Sequence, residues 1–150
     1  MMPEISEPLM SSQNSRILIV DDDRSVSEGI AMTLRSKGHS VCIAESGWEA
    51  IRRLKDTPLK LVISDLHMPG MSGFELIAAV RWRFPDMPII AMSGTYSSNE
   101  VPRTVNRFYA KGKNSPDALL TIVEELLSCS QKKPPRSIRS KGLWGRAPAA

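Results

Sequence analysis

Features that would assign the chain to a specialised class of protein are scarce in its sequence. Cys42 and Cys129 are its only cysteines, and they lack the spacing of a metal or redox pair, so we interpret them as free thiols in a reducing compartment. No apolar run approaches the ~18 residues of a membrane span, and residues 1–15 lack the apolar core of a signal peptide. We therefore expect a cytoplasmic protein without a membrane partner.

The charge of the chain is unevenly distributed. Its 150 residues carry a formal net charge of +4, but residues 16–129 hold 14 basic and 14 acidic side chains, and six basic residues without an acid follow them. We predict one domain at 16–129, a disordered N-terminal lead-in at 1–15 and a basic, disordered tail at 130–150. A basic tail can bind nucleic acid or an anionic membrane, but this one has a single aromatic residue, Trp144, so we interpret it as solvated.

Short apolar runs and helical periodicities alternate along the chain. The runs predict strands at 16–20, 39–46, 59–65, 87–94 and 107–111. The periodicities, with their capping residues, predict helices at 26–34, 46–54 and 74–82 and from Pro116 onward. Strands that alternate with helices indicate an α/β fold, in which a doubly wound parallel sheet carries helices on both faces.

Polar residues follow four of the predicted strands at the point where each strand ends. Asp21, Asp22 and Asp23 follow the first strand, Asp65 the third, Ser93 the fourth and Lys111 the fifth. Ligands of such sheets bind beyond the carboxyl ends of the strands, so these side chains are expected to converge.

The convergent residue types suit phosphoryl transfer. Three adjacent carboxylates repel one another by roughly 3 kcal/mol per close pair at a partly buried site, and a magnesium ion would turn that repulsion into attraction. The Asp65 carboxylate can act as a nucleophile towards phosphorus. Ser93 could donate a hydrogen bond to a phosphoryl oxygen, and Lys111 could pair with another.

Four segments in order, "ILIVDDD", "VISDLHMPGMSG", "IIAMSG" and "FYAK", resemble the receiver domain of bacterial two-component response regulators, the CheY-like family. The resemblance covers about residues 16–129. It implies a flavodoxin-like receiver fold with a five-stranded parallel sheet in the order 2-1-3-4-5.

The resemblance also implies a magnesium site and a phosphoacceptor. Asp65 would accept the phosphoryl group from a histidine kinase or a histidine phosphotransfer protein. Asp21, Asp22, Asp65 and the backbone carbonyl of His67 would hold Mg²⁺.

Further roles follow from the same resemblance. Ser93 would be the switch hydroxyl, Lys111 the lysine that pairs with the phosphate, and Phe108 the aromatic residue that changes rotamer. His67 and Thr95 would tune the lifetime of the phosphorylated form.

Two departures from the family pattern concern the region around the fifth strand. Gly112 follows Lys111, where the family usually has a proline in a cis peptide, and Lys113 is a conceivable substitute for Lys111. The segment between Ser93 and Lys111 is about one helical turn, roughly 4 residues, short. Because Pro102 also lies in it, we expect a shortened or irregular fourth helix.

We expect a stand-alone phosphorelay response regulator that signals to an unknown downstream protein through protein contacts. It would be no enzyme beyond catalysing its own phosphorylation and dephosphorylation. One alternative is a phosphorylation-independent pseudo-receiver, which Gly112 and the short segment favour mildly. Another is an aspartyl-phosphate hydrolase, which needs an acid two residues after its nucleophile, where this chain has His67.

Overall fold

The computed structural model describes residues 16–132, so the predicted lead-in at 1–15 and most of the predicted tail at 130–150 lie outside the described residues. Five parallel strands form one sheet in the order β2-β1-β3-β4-β5, as predicted. The strands are β1 (Arg16–Val20), β2 (Ser40–Ala44), β3 (Leu61–Asp65), β4 (Ile89–Ser93) and β5 (Arg107–Ala110). The helices are α1 (Arg24–Arg35), α2 (Gly47–Asp56), α3 (Gly73–Arg83) and α4 (Pro116–Lys132).

The continuous apolar runs of the sequence form strands that are covered on both faces. β3 and β4 are buried over their whole length, and β1 is buried from Ile17 onward. Because successive side chains of a strand point to opposite faces, Ile17 and Ile19 join the apolar core on the α1 and α4 side, whereas Leu18 and Val20 join the core on the α2 and α3 side.

Polar side chains cap the first turns of α1 and α2. The Asp23 carboxylate accepts hydrogen bonds from Ser25 N and Val26 N at the start of α1. The Ser46 hydroxyl accepts from Glu49 N at the start of α2, which is one half of a capping box. The Glu49 carboxylate accepts from Glu45 N at 2.9 Å, one residue before the N-cap, so the reciprocal half of the predicted capping box is not formed. No helix within residues 16–132 is long and apolar enough to cross a membrane.

The crossover from β4 to β5, residues 94–106, contains no α-helix, which confirms the predicted irregularity. Its only helical element is a single 3₁₀ turn at Ser98–Glu100. The Arg81 guanidinium, at the end of α3, donates to the carbonyl oxygens of Thr104 (2.7 Å), Pro85 (2.7 Å) and Met87 (2.8 Å). Hydrogen bonds from one side chain to backbone carbonyls therefore hold this crossover against the end of α3.

Candidate functional site

The carboxyl ends of β1, β3, β4 and β5 bring the predicted site residues to one edge of the sheet. A carboxylate oxygen from each of Asp21, Asp22 and Asp65 lies within 4.8 Å of the others. Asp21 is fully buried and Asp65 is 4% exposed, whereas Asp22 faces solvent. The three acidic residues after β1 therefore differ in what they contact. Asp21 and Asp22 each bring a carboxylate oxygen near Asp65, whereas Asp23 caps α1.

Lys111 lies across the two buried carboxylates. Its Nζ is 3.0 Å from Asp21 Oδ2 and 3.2 Å from Asp65 Oδ2. Lys113, the conceivable substitute, is exposed on the loop after it. Lys111 is thus the lysine that the fold brings to the acidic cluster.

Burial and ion pairing set the protonation behaviour of this cluster. Burial raises the pKa of Asp21, and the nearby Asp65 charge adds to that effect, although hydrogen bonds from Asp23 N and Lys111 oppose it. Burial works to lower the pKa of Lys111, but its bonds and charge attraction to Asp21 and Asp65 prevail and raise it. The ammonium therefore stays charged and compensates two carboxylates that the fold has removed from water.

The start of α3 packs directly against the end of β3. Gly73 N donates to Leu66 O at 3.2 Å, and Leu66 N donates to Met92 O at 2.9 Å. A Cβ atom at Gly73 would lie 2.1 Å from Asp65 O and 2.5 Å from Leu66 Cα, so only glycine fits there. Sequence reasoning missed this role, although Gly73 closes the quoted segment "VISDLHMPGMSG".

The Ser93 hydroxyl, buried at the end of β4, already anchors the loop that follows. Its Oγ accepts hydrogen bonds from Thr95 N at 2.9 Å and from Tyr96 N at 2.7 Å. Accepting these bonds leaves the hydroxyl proton available for donation. Phe108, the predicted rotamer switch, is half-buried against the core on the α2 and α3 side.

The two predicted tuning residues, His67 and Thr95, are both exposed at this edge of the sheet. His67 N donates to Asp65 Oδ1 at 3.4 Å, which holds the loop after β3 close to the Asp65 carboxylate. The functional roles assigned to these residues, and to Phe108 and Ser93, remain predictions.

The donor set fits a hard divalent cation. Carboxylate oxygens are the ligands that Mg²⁺ prefers, and one or two of them with water or phosphate oxygens suffice. Burial raises the pKa of Asp21 because it disfavours the charged carboxylate, and a bound cation would stabilise that charge. Asp21, Asp22 and Asp65 are the residues that could hold it.

Comparison with known proteins places this arrangement in a family. Residues 17–111, more than half of the chain, match the response regulator receiver domain. Response regulator RR06 of Streptococcus pneumoniae is 29% identical over 110 residues, which are 73% of this chain and 50% of that protein. Transcriptional regulatory protein GlrR of Escherichia coli is 40% identical over 84 residues, 56% of this chain and 19% of that protein. The chain therefore spans half or less of the length of these two relatives.

Solved structures agree with the sequence comparison. The response regulator TrrA of Thermotoga maritima, in complex with Mg²⁺-BeF, is 31% identical, with a TM-score of 0.68 over 75% of this chain and 98% of that one. A CheY-like receiver domain protein of Methanospirillum hungatei is 27% identical, with a TM-score of 0.75 over 81% of this chain and all of that one. The order of the strands and the acidic cluster agree with the sequence match, and this chain belongs to the response regulator receiver family.

Proposed function

We propose that Asp65 accepts a phosphoryl group in a two-component signalling pathway. The observation that carries the proposal is the meeting of Lys111 with the buried carboxylates of Asp21 and Asp65, beside the exposed Asp22. Buried carboxylates that repel one another are costly in a purely structural role, whereas a cation and a phosphoryl group would use them.

In the proposed reaction an Asp65 carboxylate oxygen attacks phosphorus, and the bond from phosphorus to the donor breaks as the donor leaves with that electron pair. The product is an acyl phosphate on Asp65. Magnesium held by Asp21, Asp22, Asp65 and the His67 carbonyl would neutralise charge on the phosphoryl oxygens. Lys111 would exchange its contact with Asp65 for a phosphoryl oxygen, and Ser93 would donate its hydroxyl proton to another.

The donor in this proposal is a phosphohistidine on a histidine kinase or a histidine phosphotransfer protein. The phosphorylated domain would signal through protein contacts in the cytoplasm and would turn over no separate substrate. In this proposal His67 and Thr95, which are exposed two residues after Asp65 and Ser93, would tune the lifetime of the acyl phosphate.

Intact-mass spectrometry after incubation with a small acyl-phosphate donor tests the proposal. The full chain is compared with Asp65→Asn, with and without magnesium, and Asp56→Asn serves as the matched control because Asp56 is an exposed acid at the end of α2. We expect one added phosphoryl group in the wild type and in Asp56→Asn, dependent on magnesium and absent from Asp65→Asn.

A folded wild-type protein that gains no mass in the presence of magnesium would contradict the proposal. That result would favour a pseudo-receiver, a module that keeps the fold and binds partners without phosphorylation. Mass gain that persists in Asp65→Asn would place the acceptor on another residue.

A further inference from the structure

The loop between β5 and α4, residues 111–115, is a closed turn with Lys111 at its start. Ala110 O accepts hydrogen bonds from Lys113 N at 3.3 Å and Asn114 N at 3.2 Å. Gly112 has a φ of +81°, the left-handed region that glycine adopts without strain. Proline, which the family usually has at this position, cannot adopt that angle because its ring fixes φ near −65°. The backbone after Lys111 therefore follows a left-handed turn that a proline at position 112 could not adopt.

The buried Tyr109 side chain forms a hydrogen bond to the end of this turn. Its hydroxyl donates to Asn114 O at 2.6 Å, although the residue itself belongs to β5 and is only 5% exposed. Burial raises the pKa of Tyr109, so the phenol keeps the proton that this bond requires. The bond ties the last residues of the loop to the strand that precedes it.

Lys111 is held on both sides of this fastening. Its backbone N donates to Ser93 O at 2.9 Å, which fixes its start against β4, and its Nζ reaches Asp21 and Asp65. The backbone beyond Lys111 is fixed by the turn on Ala110 O and by the Tyr109 hydroxyl. Loss of the hydroxyl would leave the backbone beyond Lys111 held only by the turn on Ala110 O, and we expect the ammonium then to be less firmly placed against the two carboxylates.

We infer that Tyr109 is a positioning residue for Lys111, and that its bond to Asn114 O, together with the left-handed turn at Gly112, fixes the loop that follows the lysine. The inference rests on the proposed function, since it assigns Tyr109 to the phosphoryl-transfer site through Lys111. It accounts for a tyrosine hydroxyl at a buried strand position where an apolar side chain would suffice for packing.

The test is a double-mutant cycle on the rate of phosphorylation by a small acyl-phosphate donor with magnesium. Tyr109→Phe removes the hydroxyl and keeps the ring. We expect it to slow phosphorylation about five- to tenfold, because a displaced catalytic group loses most of its orientation advantage. Lys111→Gln should slow the reaction about 100-fold. Adding Tyr109→Phe to Lys111→Gln should change the rate by less than about twofold, because Tyr109 acts through Lys111.

Thr121→Val is the matched control, since it removes an exposed hydroxyl that donates to a backbone carbonyl, Asp117 O at 3.2 Å, within α4. Its rate should equal that of the wild type. If Tyr109→Phe slows the wild type and the Lys111→Gln protein by the same factor, the hydroxyl acts independently of the lysine and the inference is wrong. An unchanged rate in Tyr109→Phe would also contradict it.

A second readout does not depend on phosphorylation. The lysine Cε groups of the metal-free protein are observed in ¹H–¹³C spectra, in which the Lys111 signal is assigned by its absence from Lys111→Gln. Its chemical shift should differ from those of exposed lysines in the wild type. In Tyr109→Phe it should move towards theirs. An unmoved signal would contradict the inference. If the wild type takes up no phosphoryl group, the proposed function fails while this spectrum still decides whether Tyr109 holds Lys111.

Discussion

Two crossovers lie on the same face of the sheet and are built in different ways. Residues 66–88 contain α3, which a Ser72–Glu75 capping box starts and which buries Leu76, Ile77 and Val80. Residues 94–106 form only a three-residue 3₁₀ turn and are fastened at their far end by Arg81. Both crossovers nevertheless join strands whose carboxyl ends carry site residues, so the site geometry depends on the strand ends more than on regular helices between them.

Because the two crossovers are held in place by different contacts, they should respond to different substitutions. The first is fixed by backbone packing, because Gly73 touches the end of β3. The second is fixed by side-chain hydrogen bonds at the amino ends of β4 and β5, where Asn106 Oδ1 accepts from Ile89 N at 2.8 Å.

Gly73→Ala should give the largest effect on the first crossover. Its Cβ would lie 2.1 Å from Asp65 O, a backbone atom that cannot yield without moving β3. We expect a loss of about 3 kcal/mol or more in the free energy of unfolding, measured by urea denaturation.

Gly29→Ala is the matched control for this substitution. Gly29 lies within α1 with open space around its Cβ position, so alanine should stabilise the protein by about 0.5–1 kcal/mol. Equal effects of the two substitutions would show that the close approach of Gly73 to β3 is not what fixes the first crossover.

Arg81→Ala should loosen the second crossover. The guanidinium is partly buried, which lowers its pKa, and its bonds to Thr104 O, Pro85 O and Met87 O would all be lost. We expect a cost of about 2 kcal/mol and faster amide hydrogen exchange within 94–106. Arg83→Ala, at an exposed position two residues on, should stay within about 0.5 kcal/mol of the wild type. Slow exchange within 94–106 in Arg81→Ala would contradict this account of the crossover.

Asp21→Asn should give the smallest effect, and it should be stabilising when magnesium is removed by a chelator. A raised pKa means that the folded state favours protonated Asp21, so its contribution to stability is present below the ordinary aspartate pKa of 3.8 and is lost as the pH rises through the folded value. At neutral pH, Asp21→Asn should therefore raise the free energy of unfolding by about 1 kcal/mol. The gain should shrink as the pH falls through the raised folded pKa and should be gone below the ordinary aspartate value of 3.8.

Magnesium should reverse this comparison. Adding the ion should raise the melting temperature of the wild type more than that of Asp21→Asn, because ligand binding to the folded state stabilises it. Asp21→Asn that destabilises the metal-free protein at neutral pH would show that the bond from Lys111 outweighs the burial of the carboxylate.

The strand ends could be predicted from the sequence because each polar residue follows a continuous apolar run. Asp21, Asp65, Ser93 and Lys111 all lie where the order of strands places them. The short segment and Pro102 likewise predicted the irregular second crossover.

The contacts that hold these residues in place could not be predicted in the same way. The bond from Tyr109 to Asn114 O, the approach of Gly73 to β3 and the reach of Arg81 to Thr104 O depend on distances between elements. No periodicity or local motif reports such distances, since the same residue types are common in strands and helices.

The most direct test of the claim that strand ends build the site is the phosphorylation rate of Arg81→Ala, compared with that of Lys111→Gln under the same conditions and at a temperature where both proteins are folded. Arg81 bonds the crossover near the amino ends of β4 and β5, whereas Asp65 lies at the carboxyl end of β3. We predict that Arg81→Ala keeps a magnesium-dependent rate within about threefold of the wild type, whereas Lys111→Gln loses about 100-fold. A loss in Arg81→Ala as large as that in Lys111→Gln would show that the second crossover forms part of the site.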